Sequence, residues 1–271
     1  MSPGRPSPTR QPRLEEFATG TEPAVAPAVP RPRPAALPGT WQVQDGFIVH
    51  PLLRAQTLRA LPFQLDLARI GLTEDLLVVL PTGLGKTVIA ALLAAELLRE
   101  GRGKMLFLAP TRPLVQQHSD SFGSWFSELR RARFTGTVAH PKREGAWETA
   151  EAVFATPEIV ANDLAAERYD LSQVRFLVLD EVHHAVGRYA YVPIAQRYRT
   201  ERPVGGRILG LTASPGGRDE RIEEVVGVLG QPRIEARSRD DMGVSADASN
   251  GKESCGCLAA GGVSPRFPSR P

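Results

Sequence analysis

Residues Pro81-Thr82-Gly83-Leu84-Gly85-Lys86-Thr87 are of the types and in the order that could hold phosphate. Gly83 and Gly85 let the backbone fold tightly, so that successive N–H groups point inward at an anion. Lys86 would reach the β- and γ-phosphates of a nucleotide, and Thr87 would hold Mg²⁺. A short apolar run, Leu76–Leu80, precedes the loop, and a longer segment, Lys86–Arg99, follows it. Strand, glycine loop, Lys-Thr and helix is the context in which a helix N-terminus cradles phosphate. The first glycine of G-x-x-x-x-G-K-[ST] is replaced by Leu80. A glycine turn with an incidental lysine is the competing reading, and the flanking strand and helix count against it.

A second apolar run, Phe176–Leu179, delivers Asp180-Glu181 at its end. Two adjacent carboxylates there can take separate roles. Asp180 would bind Mg²⁺, mostly through water, while Glu181 would orient and deprotonate an attacking water. A solvated acidic turn is the alternative, disfavoured by the apolar strand before the pair. His183 and His184 follow. Neighbouring histidines point to different faces and do not make a metal pair. His183 is expected to link the carboxylates to a neighbouring loop, and His184 to be a surface or packing residue.

These loops need strands and helices to hold them. Leu76–Leu80, Met105–Ala109, Ala152–Ala155, Phe176–Leu179 and Ile208–Leu211 read as buried strands. Lys86–Arg99, Pro113–Leu129, Pro157–Ala166, Tyr191–Arg199 and Asp219–Leu229 read as helices. The alternation predicts an α/β fold, a mostly parallel sheet with helices on both faces and ligands at the carboxyl ends of the strands. Ten of the 24 prolines fall in residues 1–40, which marks that segment as a disordered arm. Residues 41–237 are the expected domain, and 238–271, rich in Gly, Ser, Ala and Asp, the expected disordered tail.

Composition narrows the function. With 33 Lys plus Arg against 30 Asp plus Glu, the net charge of +3 argues against a polybasic tail as the main binding device, but not against a local basic groove. Two cysteines, Cys255 and Cys257, exclude a disulfide-stapled secreted scaffold and read as reduced thiols. The longest apolar stretch, Val88–Leu98, contains Glu96 and falls short of the ~18 residues a membrane span needs. No secretory signal is apparent, so the expectation is a soluble, intracellular, cytoplasmic protein.

Taken together, Pro81–Thr87 and Asp180-Glu181-Val182-His183 resemble a superfamily 2 helicase of the DEAD/DEAH class. The stretches 108–118, 155–158, 183–191 and 211–216 are similar to the archaeal Hef and Fanconi-anaemia M-type family, over about Leu53 to Arg237. The resemblance implies a RecA-like P-loop domain, ATP with Mg²⁺ as cofactors, and DNA, single-stranded or branched, as partner. It assigns Gln64 to the adenine, with Phe63 where the family has Tyr. Pro81, Thr82, Gly83, Leu84, Gly85, Lys86 and Thr87 fall to the phosphates, and Thr87 and Asp180 to the metal. Lys86, Asp180 and Glu181 are implied as catalytic, and Thr212 and Ser214, with His183, as coupling hydrolysis to strand movement. Thr111, Arg112, Thr135, Gly136, Thr156 and Pro157 would grip one DNA strand. Hydroxyls, backbone N–H groups and helix N-termini there can bind phosphates without reading bases, although Thr111 and Thr156 could equally be helix caps.

These helicases use two RecA-like domains, and the pattern here stops near Arg237. The expectation is therefore the first motor domain, acting in DNA repair or fork processing, on a truncated or split product whose tail a shifted reading frame would explain. The alternatives are an ATP- and DNA-binding module without turnover, and an interaction protein tethered by its arm. In that arm Gln11, Leu14 and Phe17 resemble the sliding-clamp peptide Q-x-x-[LIM]-x-x-F, with Ala18 in place of the second aromatic. Leu14 and Phe17 would share one side of a helical turn and dock in an apolar groove. Chance occurrence of so short a pattern competes with that reading.

Overall fold

The chain was analysed as a computed structural model that describes residues 40–99, 103–213 and 219–238. Gln11, Leu14, Phe17, Ser214, Cys255 and Cys257 lie outside the described residues.

The apolar runs become the inner strands of one seven-stranded sheet. Its strands are β3 (Leu76–Val79), β4 (Lys104–Leu108), β5 (Arg131–Phe134), β6 (Ala152–Ala155), β7 (Val174–Leu179), β8 (Arg207–Thr212) and β9 (Arg233–Ala236). Their spatial order is β5-β6-β4-β7-β8-β3-β9, and every pairing is parallel. Parallel neighbours need crossovers, and the helices supply them. These are α1 (Pro62–Thr73), α2 (Lys86–Leu98), α3 (Arg112–Trp125), α4 (His140–Thr149), α5 (Pro157–Ala165), α6 (Tyr191–Glu201) and α7 (Asp219–Leu229).

Side chains alternate across each strand, which divides the interior into two cores. Val78, Phe107, Phe154, Val178 and Leu211 face one layer with α1, α2 and α3. Val79, Leu106, Val153, Leu177 and Ile208 face the other, with α4, α5, α6 and α7. Both faces are covered, as the continuous apolar runs predict. No helix among the described residues is long and apolar enough to cross a membrane.

The structure departs from the sequence expectation at the periphery. The edge strands β5 (RARF) and β9 (RIEA) carry charged residues, and no apolar run announces them. Helices α1 and α4 and a small antiparallel hairpin, β1 (Gln42–Gln44) and β2 (Phe47–Val49), were also not expected. The hairpin turns through Asp45 (φ 52°) and Gly46 (φ 79°), both left-handed, the geometry that suits the twist of paired strands. Trp41, beside it, is buried and donates its indole N–H to the Leu92 carbonyl of α2 at 3.2 Å. Helix α3 ends at Trp125 rather than Leu129, because Phe126 bridges to Leu53 and the Trp125 carbonyl accepts from the Arg54 amide instead.

One charged pair ties the second layer together. Arg143 of α4 reaches Asp163 of α5 with two bonds, 2.7 Å from Nε and 2.6 Å from Nη2. Asp163 is fully buried, and Arg168 and Tyr169 also donate to it. Burial pushes the Asp163 carboxyl up, but the arginine hydrogen bonds outweigh it and hold the group below the ordinary carboxylate value. Its stabilising contribution is therefore full above that value and is lost as pH falls through the lower folded one. Asp163→Ala leaves a buried guanidinium unpaired and should cost about 3–5 kcal/mol in urea unfolding at neutral pH. A loss under about 1 kcal/mol would mean that water replaces the carboxylate.

Candidate active site and nucleic-acid surface

The phosphate-loop candidate leaves β3 and enters α2. Gly83 (φ 88°) and Gly85 (φ 73°) are both left-handed, so glycine is demanded at each. The two differ in surroundings. A Cβ on Gly83 would meet nothing within 4 Å, whereas one on Gly85 would lie 2.4 Å from Gln64 Nε2. Gln64, on α1, is buried and donates to the Leu84 carbonyl at 3.1 Å, while its Oε1 has no hydrogen-bond partner. Lys86 Nζ donates to the Leu80 carbonyl at 3.0 Å, closing the loop on itself. Thr82 and Gly83 are exposed, and Leu84 is buried.

Strand β7 ends beside β8, and β8 beside β3, so Asp180-Glu181 and the loop lie at the same end of the sheet, one strand apart. Asp180 is buried, and its amide donates to the Leu108 carbonyl at 2.9 Å. The buried Tyr191 hydroxyl donates to the Asp180 carbonyl at 2.6 Å; burial raises that phenol's pKa, which keeps the donor proton in place. His118, on α3, lies between the two candidate metal ligands. Its Nε2 is 2.8 Å from Asp180 Oδ2, and its Nδ1 is 3.5 Å from Thr87 Oγ1. Spacing in the sequence did not single out His118 or Tyr191. The available signal for His118 was its place on the buried stripe of Val115, Ser119 and Phe122.

Glu181 is left-handed (φ 47°, ψ 49°), an uncommon conformation for a side-chain-bearing residue. Its Oε2 is 3.4 Å from His183 Nδ1, which also contacts Thr212 Oγ1 at 3.0 Å. His183 thus stands between the carboxylate and the end of β8. Burial, followed by the neighbouring His184, holds the His183 imidazole below its ordinary 6.5, and Glu181 and Asp180 pull it back up. His184 is exposed and lies against the His183 and Tyr189 rings.

The candidate nucleic-acid residues divide. Thr111 and Arg112 are exposed at the start of α3, and Thr111 Oγ1 accepts from the Leu114 amide at 3.5 Å, a capping contact. Thr135 is part-buried and Gly136 exposed; a Cβ on Gly136 would lie 2.7 Å from Arg112 Nη2, so the Arg112 guanidinium lies over that glycine. Thr156 and Pro157 are buried at the start of α5, and Thr156 makes no side-chain cap bond. A cleft of about 660 Å³ opens beside the exposed set, lined by Arg112, Gln116, Arg131, Arg133, Thr135 and Thr137. Arg131 and Arg133 escaped the sequence reading because they belong to an edge strand without an apolar pattern.

Residues 62–221 match the DEAD/DEAH box helicase family. The chain is 38% identical over 200 residues to a Methanocaldococcus jannaschii protein named ATP-dependent RNA helicase MJ1505, covering 73% of this chain and 25% of that one. It is 36% identical over 184 residues to the mouse Fanconi anemia group M protein homolog, covering 66% of this chain and 9% of the other. The Pyrococcus furiosus Hef helicase domain superposes with a TM-score of 0.68 at 41% identity, over 71% of this chain and 41% of that chain. The chain thus spans a quarter or less of these two curated relatives.

Two tests address the local geometry. Gly83→Ala and Gly85→Ala share a left-handed strain of about 1–2 kcal/mol. Gly85→Ala also displaces Gln64 and should lose about 1–3 kcal/mol more, read as a lower melting temperature than that of Gly83→Ala. Equal melting temperatures would show that Gln64 is not packed on the loop. In an NMR titration the His183 ring should titrate below 6.5, and Glu181→Gln, by removing a charge that raises it, should lower the midpoint further. An unchanged or higher midpoint would place the imidazole away from the carboxylate.

Proposed function

Because the chain belongs to the DEAD/DEAH box helicase family, we propose that residues 41–237 form the ATP-hydrolysing motor domain of a Hef-type DNA helicase or translocase in DNA repair or fork processing. The observation that carries this reading is the meeting of the Lys86-Thr87 loop and Asp180-Glu181 at one end of the sheet, with His118 between Thr87 and Asp180.

The residues fit a magnesium nucleotide. Gln64 Oε1 is a buried acceptor without a partner, suited to the amino group of a base. The open backbone at Gly83 leaves room for close approach of a phosphate. Lys86 supplies the cation for the phosphates, and the first turn of α2 supplies N–H groups and dipole. Thr87 and Asp180 are the oxygen donors a hard cation prefers. Magnesium, when bound, neutralises charge developing on the phosphates.

Glu181 then has one task, to orient water and take its proton. Its left-handed backbone turns it off the strand line, toward His183. His183 ties that carboxylate to Thr212, so a change at Glu181 is felt at the end of β8. DNA is gripped by Thr111, Arg112, Thr135 and Gly136, extended along the cleft by Arg131 and Arg133. Such a surface holds backbone rather than bases and should be sequence-tolerant and salt-sensitive. Pro157 has no N–H and the Thr156 amide already donates to the Phe134 carbonyl at 3.2 Å, so at α5 the phosphates would fall to the next amides of its first turn, those of Glu158 and Ile159.

ATP hydrolysis is measured with and without single-stranded DNA, and with RNA of the same sequence. DNA should stimulate, and RNA should stimulate less; the reverse order would favour an RNA helicase. Lys86→Ala should lose nucleotide binding while retaining its fold. Glu181→Gln should bind ATP and hydrolyse it about 10²–10⁴-fold more slowly. Parent-like hydrolysis in Glu181→Gln would remove Glu181 from the mechanism. DNA affinity should fall steeply as salt rises, and a flat response would contradict a backbone grip. A sliding clamp is the proposed partner of Gln11, Leu14 and Phe17; a 1–25 peptide should bind it and the Leu14→Ala, Phe17→Ala peptide should not.

A further inference from the structure

His118 sits where a histidine needs a reason. It is buried, its ring packs 4.5 Å from Phe107, and it occupies the apolar stripe of α3. A buried imidazole is costly unless both nitrogens find partners. Here each nitrogen finds a candidate metal ligand, from opposite sides: Asp180 Oδ2 at 2.8 Å and Thr87 Oγ1 at 3.5 Å.

One arrangement satisfies both contacts with a neutral ring. An ionised carboxylate only accepts, so Nε2 carries the proton and donates to Asp180. In the neutral ring Nδ1 is then a bare acceptor, and the group it faces is the Thr87 hydroxyl, which can donate. A hydroxyl whose hydrogen points at Nδ1 turns its lone pairs the other way. A carboxylate held through Oδ2 keeps Oδ1, which takes no hydrogen bond among the described residues. One ring thereby engages both residues and leaves Oδ1 of Asp180 and the lone pairs of Thr87 Oγ1 for a cation.

We propose that His118 is a positioning residue for magnesium, orienting the Thr87 hydroxyl and the Asp180 carboxylate through its two ring nitrogens. The proposal rests on the reading that Thr87 and Asp180 hold the metal. In this role His118 acts through the ligands, as outer hydrogen-bond partners do when they fix the direction of a ligating group. Loss of such a partner typically weakens metal affinity 10–100-fold. It also ties the metal pair to α3, which is capped by Thr111 and begins at Arg112.

The test is a magnesium titration of binding of a fluorescent ADP analogue to the full chain, comparing parent, Thr87→Ala, His118→Leu and His118→Gln. The parent should bind more tightly with magnesium, and Thr87→Ala should lose that gain. His118→Leu, which preserves packing on Phe107, should move the magnesium midpoint up by about 10–100-fold. Its affinity without magnesium should stay at the parent value. His118→Gln, whose amide can both donate and accept, should recover part of the midpoint. Should His118→Leu keep the parent midpoint while Thr87→Ala loses its magnesium response, the inference about His118 is wrong. If Thr87→Ala responds to magnesium as the parent does, the metal reading beneath it fails instead. A second readout needs no substitution: ¹⁵N NMR of the His118 ring in the parent should show a protonated Nε2 and a bare Nδ1. A ring protonated on Nδ1 alone would overturn the arrangement.

Discussion

The Leu80 amide donates to the Thr212 carbonyl at 3.0 Å, and the Asp180 amide to the Leu108 carbonyl at 2.9 Å. The Ala109 amide donates to Ala155 at 3.0 Å, and Arg237 to Val79 at 3.1 Å. Each of these bonds lies one residue past the end of a strand and carries the parallel ladder into the loop that follows. Parallel strands bring their carboxyl ends to one edge, and these added bonds bring the loops to one level. The loop after β3 and the acidic pair after β7 are therefore positioned by backbone, before any side chain interacts. The β8 strand between them ends at Thr212, within reach of His183. A one-residue slip of an inner strand would exchange the side chains it gives to the two cores and displace the loop that follows it. The two cores oppose such a slip, because the inner strands β3, β4, β6, β7 and β8 are buried on both faces.

Left-handed residues occur at this same edge as well as elsewhere, at Asp45, Gln56, Glu167 and Gln231. Gly83, Gly85 and Glu181 are all left-handed. Two are glycines, for which the conformation is easy; Glu181 is not, and such strain persists only where surrounding bonds over-determine it. Asp180 before it is held through its amide by Leu108 and through its carbonyl by Tyr191. After it, the His184 amide donates back to the Glu181 carbonyl at 3.1 Å and the Ala185 amide to Val182 at 2.8 Å. The chain is pinned on both sides of the strained residue, and the carboxylate is directed to His183 as a consequence.

How legible each part was in the sequence follows from its burial. Strands β3, β4, β6, β7 and β8 are covered on both faces, so they read as unbroken apolar runs and are found within a residue or two of their observed ends. The edge strands β5 and β9 need only a partial apolar face, and charged residues on them discourage further pairing. RARF and RIEA consequently look like loops. The hairpin turn did carry a signal, Asp45-Gly46, but it lies between strands of three residues, too short for periodicity. The phosphate loop and acidic pair were legible because their chemistry demands residue types in a fixed local order. His118 and Tyr191 were not, since His118 acts on a carboxylate 62 residues away, Tyr191 on a backbone carbonyl that carries no sequence signature, and each contributes one residue to its site. Arg143 and Asp163 were hidden for the same reason, as a pair 20 positions apart on two helices.

Helix α3 joins the two halves of the candidate site by length alone. It is capped by Thr111, beside the exposed Arg112, and carries His118 seven residues further on, about 10 Å along its axis. Between them Val115 is buried, and beyond His118 Ser119 and Phe122 continue the buried stripe, with Phe122 edge-on to Phe107 at 5.9 Å. A helix packed so closely moves as a rigid body rather than by bending. Arg112 is therefore connected to Asp180 by one rigid element and one 2.8 Å hydrogen bond, without a flexible link. A second route runs through β8, from Glu181 by way of His183 to Thr212, and reaches the neighbour of the phosphate-loop strand. The two routes leave adjacent residues, Asp180 and Glu181, in different directions. On the proposed function that separation is useful: the metal side of the pair is tied to the strand-gripping surface, and the water-activating side to the centre of the sheet.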